Sequence, residues 1–271
     1  MSKTAFLTLF VLAGCLFGQT NDPRQANIEV ILERTGVSEQ LKQFQPLLEQ
    51  QLMSERGRMD QARFDAVAGI LIKNVTPENI LEVLRKNLLD NYNEAYVSNV
   101  IAFHDSPLAR EFVRMEIEAS GDREFEAKIR KFKMKTADPE RKRLVEKLYK
   151  DLEMEAFSAD LAAACVSSLL TAINSGLRDD EKLTPGEIEA RSGLYRKILS
   201  ANAGKTGIVS LMLTYQEAGI DEIRQYDEFY ISPAGLWLEK IIKDSLIGGY
   251  SVCSEKAGKA IADYIDYGTT R

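Results

Sequence analysis

The stretch Phe103-His104-Asp105-Ser106-Pro107 (FHDSP) returns as Phe229-Tyr230-Ile231-Ser232-Pro233 (FYISP), 126 positions later. An amphipathic helical run leads into each copy: Val97, Val100 and Ile101 before the first, Ile220, Ile223 and Tyr226 before the second. Proline disfavours helical backbone at the residue before it. Each serine therefore leaves one helix and is free to cap the next. The phrase predicts a helix–helix corner with an aromatic plug on its inner side. Phe103, Ser106 and Pro107 form one corner; Phe229, Ser232 and Pro233 form the other.

The flanks repeat as well. Upstream, Tyr92–Ala95 (YNEA) matches Tyr215–Ala218 (YQEA) at an offset of 123, and Asp22-Pro23 (DPRQANIEVIL) answers Asp138-Pro139 (DPERKRLVEKL) at 116. Landmarks in the same order at rising offsets are the pattern of a duplication with small insertions in the second copy. The expected units are residues 22–136 and 138–271. No Gly/Ser-rich linker separates them, so the halves are expected to pack together.

Helix starts are marked throughout. Asp22-Pro23, Thr76-Pro77, Ser106-Pro107, Asp138-Pro139, Thr184-Pro185 and Ser232-Pro233 each pair an N-cap residue with a proline whose missing N–H costs nothing in the first turn. The seventh proline, Pro46, is expected to kink its helix. Between these marks apolar residues recur at helical spacing: Ile28, Ile31, Leu32 and Thr35, closed by Gly36; Ile80, Leu81, Leu84 and Leu88; Leu108, Phe112, Met115 and Ala119. No alternating strand with a hairpin turn stands out. The reading is all-α: two tandem helical repeats packed together, with corners at Ser-Pro.

The second phrase and its surroundings, Asp221-Glu222-Ile223 followed by Phe229-Tyr230-Ile231-Ser232-Pro233-Ala234-Gly235, resemble a bacterial family known as domain of unknown function number 2059. Its motif is an acidic-apolar helix leading into Phe-Tyr-x-Ser-Pro-x-Gly. The first copy departs from it, with His104 for the tyrosine and Ala109 for the glycine; LERTGVSEQL resembles the family's opening. The resemblance implies an exported helical protein and brings no reaction, substrate or catalytic residue.

Composition narrows the function. The chain has 271 residues, 45% hydrophobic, with a net charge of −6. An acidic balance argues against nucleic acid and against attraction to an anionic membrane surface. At the N-terminus, Lys3 precedes an apolar run from Ala5 to Phe17, too short to span a bilayer, which reads as an export signal over residues 1–18. Two processing sites compete: cleavage before Gln19, or a lipoprotein box in which Cys15 becomes a lipidated N-terminus. No other stretch reads as long and apolar enough to span a membrane. The expected setting is a bacterial periplasm or envelope.

No catalytic or metal motif stands out, and neither cofactor nor metal is expected. Gly204-Lys205-Thr206 is the tail of a phosphate loop, but Leu199 stands where its first glycine belongs. His104, the one histidine, is expected to be a half-buried structural residue matched by Tyr230. The acidic pairs Asp179-Asp180 and Asp221-Glu222 read as solvated faces or helix N-terminal charges. Tyr226, Phe229, Tyr230 and Trp237 form the densest aromatic group, read first as core and second as a contact groove. Once Cys15 is cleaved or lipidated, Cys165 and Cys253 remain, and an oxidising compartment predicts a disulfide between them. The expected function is a non-catalytic module that binds another envelope protein. Its alternatives are a carrier of a small apolar ligand and an envelope hydrolase. An exposed apolar patch favours the first, an interior aromatic pocket the second, two carboxylates facing one another in a cleft the third.

Overall fold

Six helices begin at the six marked prolines. In the computed structural model, which describes residues 22–269 apart from 55, 58–59 and 135–136, the side chains of Asp22, Thr76, Ser106, Asp138, Thr184 and Ser232 each accept a first-turn backbone N–H. The helices are α1 Pro23–Arg34, α2 Val37–Ser54, α3 Gln61–Asn74, α4 Pro77–Asp90, α5 Glu94–His104, α6 Pro107–Gly121, α7 Phe125–Lys131, α8 Pro139–Asp151, α9 Met154–Ser175, α10 Pro185–Thr214, α11 Ile220–Tyr230 and α12 Pro233–Thr269. Among the described residues there is no strand, so the protein is all-α. The expected signal segment and Cys15 lie outside the described residues.

Local chemistry explains the remaining joints. Gly36 turns the chain between α1 and α2 at φ +70°, a conformation that L side chains rarely adopt, and a methyl group there would lie 2.6 Å from Val113. Pro46 sits inside α2 on an exposed side, and the helix continues through it. Gly204-Lys205-Thr206 lies within α10, so it is helix and not a phosphate-cradling loop.

Two apolar cores result, and each draws on both halves of the chain. Core one joins Ile28, Ile31 and Leu32 of α1, Leu81, Leu84 and Leu88 of α4, and Val97 and Val100 of α5 to Leu238 and Ile241 of α12. Core two joins Phe112 and Met115 of α6 to Leu144 and Leu148 of α8, Leu211 and Tyr215 around the end of α10, and Ile223 and Tyr226 of α11. The helix after each Ser-Pro corner thus adds side chains to the core of the opposite half while also packing along its own, α6 on α2 and α12 on α9. Where the corners meet, Phe103 and Phe229 stack face to face, ring centroids 3.7 Å apart and planes 3° apart.

Three expectations change. His104 is fully buried, not half-buried: its Nδ1 lies 2.9 Å from the Val100 carbonyl and its ring meets Phe103 and Phe229 edge to face. Cys165 and Cys253 are free thiols, not a disulfide. Cys253 sits against the Thr76 backbone and Asn79 at the start of α4, whereas Cys165 meets the next residue, Ser254. Adjacent helical residues point about 100° apart, so Cys165 of α9 meets the side of α12 that carries Ser254, next to the side that carries Cys253. Finally, α9 is long and apolar enough to cross a membrane by length and composition, with a mean hydropathy of 1.6 over a window of which 11% is buried. It packs along α10 and α12.

Candidate functional site

A half-open cavity of about 360 Å³ lies where helices of both halves meet. It is lined from α2, α6, α9, α10, α11 and α12 together. Its centre is Glu116, one turn beyond Phe112 on the buried side of α6. Phe112 stacks on Tyr226, centroids 4.1 Å apart, and tilts against Tyr215 at 4.9 Å. That packing brings both phenol hydroxyls to Glu116 Oε1, to which each donates at 2.7 Å. Gln40 Nε2 approaches Oε2 at 3.4 Å. Tyr230, one turn after Tyr226, sets its hydroxyl 3.3 Å from that of Tyr226.

A second carboxylate faces the same space. Glu239 of α12 pairs with Lys243, one turn on, at 3.2 Å, and Lys243 also donates to the Leu152 carbonyl at the end of α8. Leu211, Met154, Phe157, Ile242 and Leu246 supply an apolar wall.

Burial governs the electrostatics. Glu116 keeps some surface open to the cavity but is ringed by protein, and desolvation pushes its carboxyl above the usual range, opposed by the bonds from Tyr215, Tyr226 and Gln40. Desolvation raises Glu239 too, opposed by Lys243. Tyr215, Tyr226 and Tyr230 are all raised by burial first and by the Glu116 charge second, so their hydroxyls stay protonated as donors. Desolvation lowers His104, which stays neutral in its apolar setting. Among the described residues no group of three or more His, Cys, Asp or Glu side chains stands close enough to hold a metal ion.

Of the four aromatics read first as core and second as a contact groove, Tyr226, Phe229 and Tyr230 stay in ring contact and Trp237 leaves them. Tyr226 and Tyr230 line the cavity. Phe229 stacks at the corner, and Trp237 turns to core one, where its Nε1 donates to the Asn91 carbonyl at 3.1 Å and its ring meets Tyr96. Asp179 and Asp180 are exposed beside Lys182 and Arg178; Glu222 accepts the Gly219 N–H at 2.6 Å as a helix N-terminal charge. Glu116 and Glu239 were missed by sequence reasoning, although each carried a signal. Glu116 lies four residues after Phe112 and three before Ala119, on an otherwise apolar stripe.

A larger open groove of about 570 Å³ lies between α1 and α4. Its charges are already matched, Glu29 with Arg85 at 2.6 Å and Asp22 with Arg24 at 2.6 Å, so it presents no unused polar group comparable to Glu116. No family model, curated protein or solved structure matches this chain.

Proposed function

We propose that the protein is a non-catalytic binder of a small, partly apolar molecule, held in the cavity between its two halves. The single observation that carries this reading is the cavity itself: a half-open space with an apolar wall and a few convergent polar groups, lined by helices from both halves. The two carboxylates a hydrolase would need do share this space. Glu116 is engaged by two tyrosines and Glu239 by Lys243, an arrangement that holds and orients better than it transfers protons. An exported, envelope-located protein, as the N-terminal signal and the resemblance to the domain of unknown function imply, suits such a carrier. We read the chain as a duplicated pair of units. In support, α5 and α11 each span 11 residues, each ends in a capping Ser-Pro, and the equivalent Phe103 and Phe229 meet face to face, as residues do at a two-fold axis.

Binding is tested with N-phenyl-1-naphthylamine, which brightens in apolar cavities. The expected result is saturable binding of one dye per chain, abolished in a folded Ile242→Trp variant that fills the space. Absent binding, or binding untouched by Ile242→Trp, overturns the reading.

A second reading, docking of another envelope protein, rests on a different surface. Leu194 and Tyr195 in the first part of α10 are 56% and 50% exposed, beside the largely unburied α9. Photo-crosslinking from position 195 in cells is expected to capture one protein, and Leu194→Glu to abolish the capture. A capture indifferent to Leu194→Glu contradicts this docking surface.

A further inference from the structure

The chemistry of the cavity narrows the class of ligand. Three charged side chains line it: Glu116, Glu239 and Lys243. Lys243 is committed to Glu239 and to the Leu152 carbonyl. Glu116 has no cationic partner among the described residues, so the lining is one positive charge short of neutrality when both carboxylates are ionised. A buried carboxylate without a countercharge is costly, and either a proton or a bound cation relieves that cost.

The hydrogen-bond inventory points the same way. Two tyrosine hydroxyls occupy Oε1 of Glu116, while Oε2 has only Gln40 at 3.4 Å, longer than an ordinary N–H···O bond. Acceptor capacity is therefore left over, and it suits a ligand bearing N–H donors. The hydroxyls of Tyr226 and Tyr230, 3.3 Å apart, add polar oxygens beside Glu116 that accept from an ammonium group. An anionic ligand would meet two carboxylates. A purely apolar one would leave Oε2 desolvated and under-bonded.

Resting on the ligand-binding reading of this cavity, we propose that the ligand is a primary ammonium compound with an aromatic or short aliphatic body. Its ammonium sits on Glu116 beside Tyr226 and Tyr230, and its body lies against Leu211, Ile242 and Leu246. The groups facing Glu116 are Gln40 of α2, Tyr215 at the end of α10, Tyr226 and Tyr230 of α11, and Glu239 and Lys243 of α12. Of these, Glu116 carries a raised carboxyl without a cation beside it, so an arriving ammonium displaces its proton. Affinity then rises with pH until Glu116 is ionised in the empty protein.

The test is isothermal titration of the mature chain, and of Glu116→Gln, at pH 8 with phenethylamine, 3-phenylpropan-1-ol and 3-phenylpropionate, three ligands of similar body and different head. The wild type is expected to bind the amine at least about tenfold more tightly than the alcohol or the acid, and Glu116→Gln to lose that preference. Equal binding of alcohol and amine, tighter binding of the acid, or an amine affinity unchanged in folded Glu116→Gln overturns the ligand class while leaving the cavity reading intact. Failure of all three beside continued binding of the naphthylamine dye also overturns the class. Failure of the dye as well removes the cavity reading. Should Glu116→Gln not fold, the order of the three ligands on the wild type decides the matter.

Discussion

Core one and core two differ in what they bury. Every buried member of core one is aliphatic apart from Cys253, whereas core two buries Tyr149, Tyr215 and Tyr226 and borders the Glu116 cavity. Positions counted from the corner serines make the contrast specific. Six residues before the serine stands Val100 in one corner and Tyr226 in the other; two before it, His104 and Tyr230; ten after it, Glu116 and Ile242. At the first position Tyr226 lines the cavity and Val100 does not, at the second Tyr230 does and His104 does not, and at the third Glu116 and Ile242 both do. Burying a carboxylate and its phenol donors brings no stability that aliphatic packing would not bring more simply. The difference teaches that core one holds the molecule together and that core two gives up some of that simplicity for a site.

Truncation inside each core is the harshest challenge to this contrast. Phe112→Ala removes the ring that spaces Tyr215 and Tyr226, and is expected to cost about 3–5 kcal/mol; Leu238→Ala in core one is expected to cost about 2–5 kcal/mol. Both are read by chemical denaturation. Because α6 and α12 each add side chains to the opposite half's core, each variant should unfold in a single transition seen alike by Trp237 fluorescence and tyrosine circular dichroism. Two separate transitions would mean that the cores are independent.

The corners differ at the third residue after the serine. A methyl group on Gly235 would lie 2.1 Å from the Phe229 carbonyl oxygen, while Ala109 fits at the matching position of the first corner, fully buried. Gly235→Ala should therefore cost about 1–3 kcal/mol through overpacking. Ala109→Gly should cost about 1 kcal/mol through backbone entropy. Equal and small effects on the denaturation midpoint would show that the two corners are built alike.

The caps give a smaller effect and should not distinguish the corners. Ser106 Oγ accepts the Ala109 N–H at 3.1 Å, and Ser232 Oγ the Gly235 N–H at 3.2 Å. Ser106→Ala and Ser232→Ala are each expected to lose about 1 kcal/mol. Unchanged midpoints would remove the capping role.

The pH response separates Glu116 from His104 by sign. Glu116 has its folded value raised above 4.5, so the native state keeps a proton that the unfolded chain releases. Its contribution is fully present below 4.5 and is lost as pH rises through the folded value. His104, lowered from 6.5, behaves oppositely: its contribution is present above 6.5 and is lost as pH falls toward the folded value. Stability curves of wild type and Glu116→Gln should converge as pH falls below 4.5 and separate above it in favour of the variant, apart from any constant offset. Parallel curves would show that Glu116 is not desolvated.

How much of this was legible beforehand follows the range of each interaction. The six helix starts, the Gly36 stop and the apolar stripes were readable because capping and periodicity act within a turn or two of chain. The sharing of α6 and α12 between the halves was not readable, since an amphipathic stripe shows that a helix is buried without saying against what. Glu116 was passed over because one acid on an apolar stripe resembles a surface residue until Tyr215 and Tyr226 arrive from far along the chain. The cysteines misled for a geometric reason: compartment and count favoured a bond, while the faces of α12 gave Cys253 to α4 and Ser254 to Cys165.

Cavity and contrast both depend on this sharing, and expression of residues 22–136 alone, with and without residues 137–271 supplied as a separate chain, tests it most directly. In isolation this half lacks Leu238 and Ile241 in core one, and deprives Phe112 and Met115 of α6 of the second-half side chains of core two. The account predicts no cooperative unfolding transition from the isolated half as a monomer, and recovery of one when the two halves are mixed. A monomeric 22–136 fragment that unfolds cooperatively, indifferent to the other half, would contradict it.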